Sequence, residues 1–213
     1  MLQTPLSRLA GPLGIAAGTL IVGAQLVMLP FDPKDHVATT TARAFQLGGV
    51  AYFVGFVALL LFVIASHAWQ ERSSGRLGVF ATLAAAVGTM ALGGDLWFET
   101  FAVPWLADEA PNAFSTDPTI MLAIGAIGSY ALFELGWILY GVAALRAGVF
   151  PRAISAAFVV AGALGFQALL APWAVPLGLT VGVLGLWMVR TQRAAAEEIH
   201  LATEVRSAAG APA

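Results

Sequence analysis

Three carboxyl side chains fall inside runs of sequence long and apolar enough to lie in a bilayer: Asp95 and Glu99 in the third run, Glu134 in the fourth. An ionisable group at membrane depth costs roughly 3 kcal/mol on insertion scales, so three of them call for a partner, a proton or a purpose. Asp95 and Glu99 are four residues apart and share one helix face, about 6 Å apart along its axis. Aromatic residues surround them. Trp97, Phe98 and Phe101 accompany the first pair, and Tyr130, Phe133, Trp137 and Tyr140 accompany Glu134. A low-dielectric cavity favours the neutral carboxylic acid. A protonated acid beside aromatic faces suits proton delivery to an alkene or epoxide, with the π-quadrupole stabilising the cation that forms. Asp95, Glu134 and Glu99 are therefore the candidate catalytic acids, and the seven aromatics the candidate substrate wall.

The elements that must hold these groups follow from composition. Of 213 residues, 59% are hydrophobic and 10% charged, where a soluble domain carries charge at about a quarter of its positions. Six apolar runs approach or exceed the roughly 20 residues that cross a hydrocarbon core: about Leu9–Leu29, Phe45–Ala68, Leu77–Val103, Thr119–Leu145, Ile154–Ala171 and Val175–Val189. The expectation is an all-α, six-helix transmembrane domain over 1–190 and a short, partly disordered tail over 191–213. Spans must be helical here, because the runs are far too long for barrel strands and lipid leaves open backbone groups unpaired.

Eight basic residues, Arg8, Arg72, Arg76, Arg146, Arg152, Arg190, Arg193 and Arg206, fall on one side of this six-span arrangement, with only Lys34 and Arg43 opposite. Cytoplasmic loops retain Lys and Arg, which places both termini inside. The opposite side collects Asp32, Asp35, Asp108, Glu109 and Asp117. The first run continues past Ala24 to Leu29 behind a single Arg8, which argues against a cleaved signal peptide. The spacings Gly14 to Gly18 and Gly178 to Gly182 are of the kind that lets helices approach closely, with packing inside the chain favoured over a dimer face.

The stretch GWILYGVAALRAGVFPRAISAAFVVAGAL, across the fourth and fifth runs, resembles small multi-spanning integral membrane proteins of high-GC, actinobacterial-type bacteria. The resemblance implies a bacterial inner-membrane protein and carries topology rather than chemistry. In chemical logic alone, the acids beside aromatic walls resemble integral-membrane terpene cyclases and sterol isomerases, although no diagnostic motif of either family is present.

The leading functional expectation is cofactor-free, acid-initiated cyclisation or isomerisation of a prenyl or isoprenoid lipid drawn from the bilayer. Proton-coupled transport of a small solute is the first alternative, since membrane carboxylates mark proton relays and Gly93 and Gly94 before Asp95 would permit a helix break. A non-catalytic subunit or lipid-binding protein is the second, with Glu134 merely hydrogen-bonded to Gln25 or Gln167. Cysteine is absent, which removes disulfides and thiolate chemistry. No nucleic-acid, phosphate-loop or nucleophile-elbow pattern occurs, and no metal-ligand spacing involves the three histidines. No cofactor, metal or nucleic-acid partner is expected.

Overall fold

The computed structural model describes residues 5–32, 35–110, 112 and 117–209, and among them all regular structure is helical. Helix α1 spans Pro5–Met28 and the short α2 spans His36–Thr41. A helical run from Arg43 to Trp97 contains Gly75 at φ 54, ψ −149, a conformation open to glycine alone, and there the chain reverses. We therefore treat it as α3, Arg43–Glu71, and α4, which runs on from Ser73 to Glu109. Helix α5 spans Ile120–Ala147, α6 Arg152–Ala163 and α7 Val175–Ala209.

The helices run up and down. Near the α3–α4 reversal the Thr82 hydroxyl lies 3.1 Å from His67 Nδ1, and at the far end the rings of Phe53 and Phe101 meet at 5.8 Å. Helices α1 and α7 are antiparallel and touch through bare backbone. A Cβ on Gly18 would stand 2.5 Å from the Gly178 carbonyl oxygen, and one on Gly185 would stand 2.7 Å from that of Gly11. The small-residue spacings thus serve packing within the chain. Helix α4 meets α5 in the same way, at Gly88 against Leu132 and Gly136 against Ala84.

Among the described residues four helices are long and apolar enough to cross a membrane, Leu6–Met28, Arg43–Glu71, Ser73–Glu109 and Ile120–Ala147, and neither α6 nor α7, which hold the fifth and sixth expected spans, is one of them. The fifth apolar run departs from the expected Ile154–Ala171 span. Helix α6 ends at Ala163 after 12 residues, about 18 Å of rise, and a 3-10 turn over Gly165–Gln167 and further turns lead to α7. Pro172 has no N–H to give the Ala168 carbonyl, so a regular helix cannot continue there. Two buried polar side chains compensate. The Tyr52 hydroxyl and Gln25 Nε2 both donate to the Ala168 oxygen, and the Ala174 N–H donates to Gln25 Oε1. Non-helical backbone at this depth is tolerable because protein groups satisfy it. Gln25 is thereby committed to this connection and does not serve Glu134. At the other extremity, α7 stays helical well past the apolar run, to Ala209, with 210–213 outside the described residues.

Candidate functional site

The acids of α4 lie where that helix is irregular. Helix α4 passes through Gly93 and Gly94 without a break and widens into a π-helical turn over Phe98–Ala102. Proline at 104 accounts for its position: it offers no N–H to the Thr100 carbonyl, and its ring crowds that group. Such wide turns are concentrated at functional sites. This one holds Glu99 half-buried and buries Thr100 against Gly49 of α3, where a Cβ would meet Thr100 Oγ1 at 3.0 Å.

Beside this turn is a cavity of about 280 Å³ at the end of the bundle remote from the chain termini. Glu99, Thr100 and Leu96 of α4 and Tyr130 of α5 form one wall. Met28, Leu29 and Phe31 at the end of α1 and Phe45 and Gly49 of α3 form the facing wall, and Leu169, Leu170 and Ala171 of the irregular connection complete it. Helix α2 contributes Thr39. That short helix is pinned by the Asp35 carboxylate, which accepts from the Ala38 N–H at 3.3 Å, and by the Thr39 hydroxyl, which donates to the Asp32 carbonyl at 2.8 Å. Gln46 of α3 adds a bond from Nε2 to the Thr40 carbonyl at 3.2 Å. The interior is mostly hydrocarbon, with an edge-on aromatic pair, Phe31 and Phe45, at 5.5 Å.

Tyr130 links the two acids of α4 to α5. Its hydroxyl lies close enough for the charges of both Asp95 and Glu99 to act on it, and Asp95 acts in turn on Glu99. The second Asp95 oxygen, Oδ2, is buried and has no hydrogen-bond partner among the described residues. A buried polar atom left open is uncommon in folded proteins and calls for an explanation. Here it lies one helical turn from the acid that lines the cavity.

The structure thus brings Asp95, Glu99 and Tyr130 together and separates the other sequence candidates from them. Glu134 follows Tyr130 by one turn and is half-buried, with its Cα beside Gly165, and it does not line the cavity. Phe133, Trp137 and Tyr140 are fully buried in a solid ring cluster. Phe133 stacks on Phe56 at 5.4 Å and Trp137 on Phe158 at 5.6 Å. Their polar atoms are occupied: Trp137 Nε1 donates to the Thr89 hydroxyl at 3.1 Å, and the Tyr140 and Ser66 hydroxyls lie 2.7 Å apart. Trp97, Phe98 and Phe101 are 51%, 37% and 44% exposed and point to the outer surface of α4.

Phe31, Phe45, Thr39 and the 169–171 stretch line the cavity and were not among the sequence candidates. The two phenylalanines flank the first loop, and that position relative to the acidic end was the one available signal. Among the described residues no group of three or more His, Cys, Asp or Glu could hold a metal ion. Searches against family models, curated proteins and solved structures return no match for the chain.

Proposed function

We propose that this protein is an integral membrane enzyme that takes a lipophilic molecule into the cavity beneath α2 and acts on it by proton transfer from Glu99, with Asp95 and Tyr130 as its positioning partners. The reaction that this set suits best is acid-initiated cyclisation or isomerisation of a prenyl-type lipid. The observation that carries the reading is a carboxyl group, Glu99, on the wall of a cavity that is otherwise mostly hydrocarbon and aromatic, with the hydroxyls of Thr39, Thr100 and Tyr130 as its other polar side chains. In such surroundings Phe31, Phe45 and Tyr130 offer π-faces to a developing cation. A cavity near the lower end of the usual range of about 300–1,000 Å³ fits a small ligand.

We further propose six spans in a bacterial cytoplasmic membrane with both termini inside. The asymmetry of Arg and Lys between the loops supports that orientation, and it puts the cavity toward the outer leaflet. The close-packed rings of Phe56, Phe133, Trp137, Tyr140 and Phe158 lie on the inner side of the cavity. That cluster favours a closed site over a transport path, because a solute crossing the bundle would have to part fully buried aromatic side chains.

The test is lipid analysis of purified protein in nanodiscs, comparing wild type with Glu99→Gln and Asp95→Asn. A co-purifying or added prenyl lipid should be converted by the wild type and remain bound but unconverted in Glu99→Gln. Conversion that survives both substitutions refutes the acid-catalysis reading.

A further inference from the structure

Hydroxyl groups on the helices of this bundle commonly spend their proton on their own backbone. Ser129, Ser155, Thr180 and Thr191 each donate to a carbonyl three or four residues back. Thr100 does not. It is only 9% exposed, and its hydroxyl makes no hydrogen bond to any described residue. Its place in the π-turn gives the reason. Hydrogen bonds there reach back five residues, as from the Val103 N–H to the Phe98 carbonyl, so the regular spacing from Thr100 to the Leu96 carbonyl is lost. A buried hydroxyl without a partner in the protein calls for one from outside it.

Two further observations direct that partner to the cavity. Thr100 lines it, and so does Gly49 of α3 packed against it. A Cβ on Gly49 would have Thr100 Oγ1 as its nearest neighbour, at 3.0 Å, so a larger residue there would cover the hydroxyl that glycine leaves open. Met28, Phe45, Leu96 and Leu169 supply hydrocarbon to the same cavity.

We infer that the Thr100 hydroxyl is the polar docking point of the ligand, and that the ligand is an oxygen-bearing lipophile, an alcohol or a ketone, rather than a bare hydrocarbon. The inference rests on the reading of this cavity as a lipophile site and names the class of molecule it takes. A hydroxyl both donates and accepts, so it serves an alcohol and a carbonyl oxygen alike. One such bond in a mostly apolar pocket fixes the orientation of the molecule, whereas an alkene leaves the hydroxyl unpaired.

The experiment measures saturable binding of tritiated decanol to the protein in nanodiscs by scintillation proximity, with 2-decanone and undecane as competitors. Wild type should bind decanol saturably, and 2-decanone should displace it. Undecane, which carries a methyl group in place of the hydroxyl, should compete at least about fivefold less well, the worth of about one hydrogen bond. Thr100→Val keeps the shape of the side chain and should weaken decanol about fivefold, removing its advantage over undecane. Thr100→Ser should keep that advantage. Decanol bound as tightly by Thr100→Val as by wild type would assign the hydroxyl to a bound water and overturn the inference. Equal losses in Thr100→Val and Thr100→Ser would overturn it too, by assigning the effect to packing of the methyl group. Absence of saturable decanol binding to the wild type would overturn the lipophile site itself. No probe is a prenyl compound and no reaction is followed, so each outcome is read independently of the acid chemistry.

Discussion

The connection between α6 and α7 forms one wall of the cavity, and its stability can be worked out from three hydrogen bonds. Ala168 is followed at the fourth position by Pro172, so its carbonyl receives no helical N–H and is served by Tyr52 and Gln25 instead. Tyr52→Phe removes one of two donors and leaves the carbonyl bonded, which should cost about 1 kcal/mol, the net worth of one hydrogen bond. Gln25→Leu removes the other donor and also strips the Ala174 N–H of its acceptor; Ala174 is 1% exposed. An orphaned buried group costs about 1–3 kcal/mol, so this variant should lose about 2–4 kcal/mol. In the double variant the Ala168 carbonyl is orphaned as well, and the loss should exceed the sum of the two singles by about 1–2 kcal/mol. The assay is reversible unfolding in mixed micelles, followed by tryptophan fluorescence, for the four proteins of the cycle. Additivity within about 0.5 kcal/mol would refute the shared-carbonyl reasoning. Leu169, Leu170 and Ala171 follow the anchored residue directly. Loss of prenyl-lipid binding should accordingly track Gln25→Leu and be small for Tyr52→Phe.

Four further outcomes are expected. Gly75→Ala forces a side chain into φ 54, ψ −149 at the α3–α4 reversal and should cost about 1–3 kcal/mol, seen as a lower melting temperature, whereas Gly94→Ala, open on the same helix, should change it little. Gly18→Ala presses a methyl group onto the backbone of Gly178 and Gly182 and should destabilise by about 1–3 kcal/mol; an unchanged melting temperature would mean that α1 and α7 separate without cost. Gln70 is fully buried near the same reversal with both side-chain amide atoms unpaired among the described residues, so Gln70→Leu should be neutral or stabilising, and marked destabilisation would reveal a bound polar partner there. Tyr130→Phe removes a hydroxyl from the cavity wall beside Asp95 and Glu99 and should reduce prenyl conversion while binding of the prenyl lipid persists; equal loss of both would make Tyr130 a structural residue only.

Much of the helical architecture follows from patterns that the sequence displays openly. Four of the apolar runs of span length, the glycine spacings of α1 and α7, and a reversal at the polar stretch around Gly75 all depend on short-range chemistry, and each has its counterpart in the structure. The fifth run does not, because its fate depends on distant partners. Ile154–Ala171 is apolar throughout, yet the helix stops at Ala163. Pro172 forbids its regular continuation, and Gln25 and Tyr52, more than a hundred positions away, make the alternative tolerable. No local pattern announces that a glutamine in the first helix will hold a turn before the last.

The site divides along the same line. Asp95 and Glu99 are legible because charge in an apolar run is conspicuous, and Tyr130 because it stands one turn from another acid. Their aromatic companions mislead, since periodicity identifies a shared face without saying what the face meets. The stripe of Phe133, Trp137 and Tyr140 meets Phe56 and Phe158 and becomes solid core, while Trp97 and Phe101 turn outward. What opens space beside Glu99 is the combination of a π-turn imposed by a proline five residues on and a short helix from a different loop that closes over it. A cavity is a failure of packing among several elements at once, so its walls come from residues such as Phe31, Phe45 and Leu170 that carry no chemical signal of their own. The acid that matters in such a fold is then the one beside the unfilled space. That argument moves the proposed proton donor from Asp95 or Glu134, the deeper carboxyl groups that the sequence favours, to Glu99.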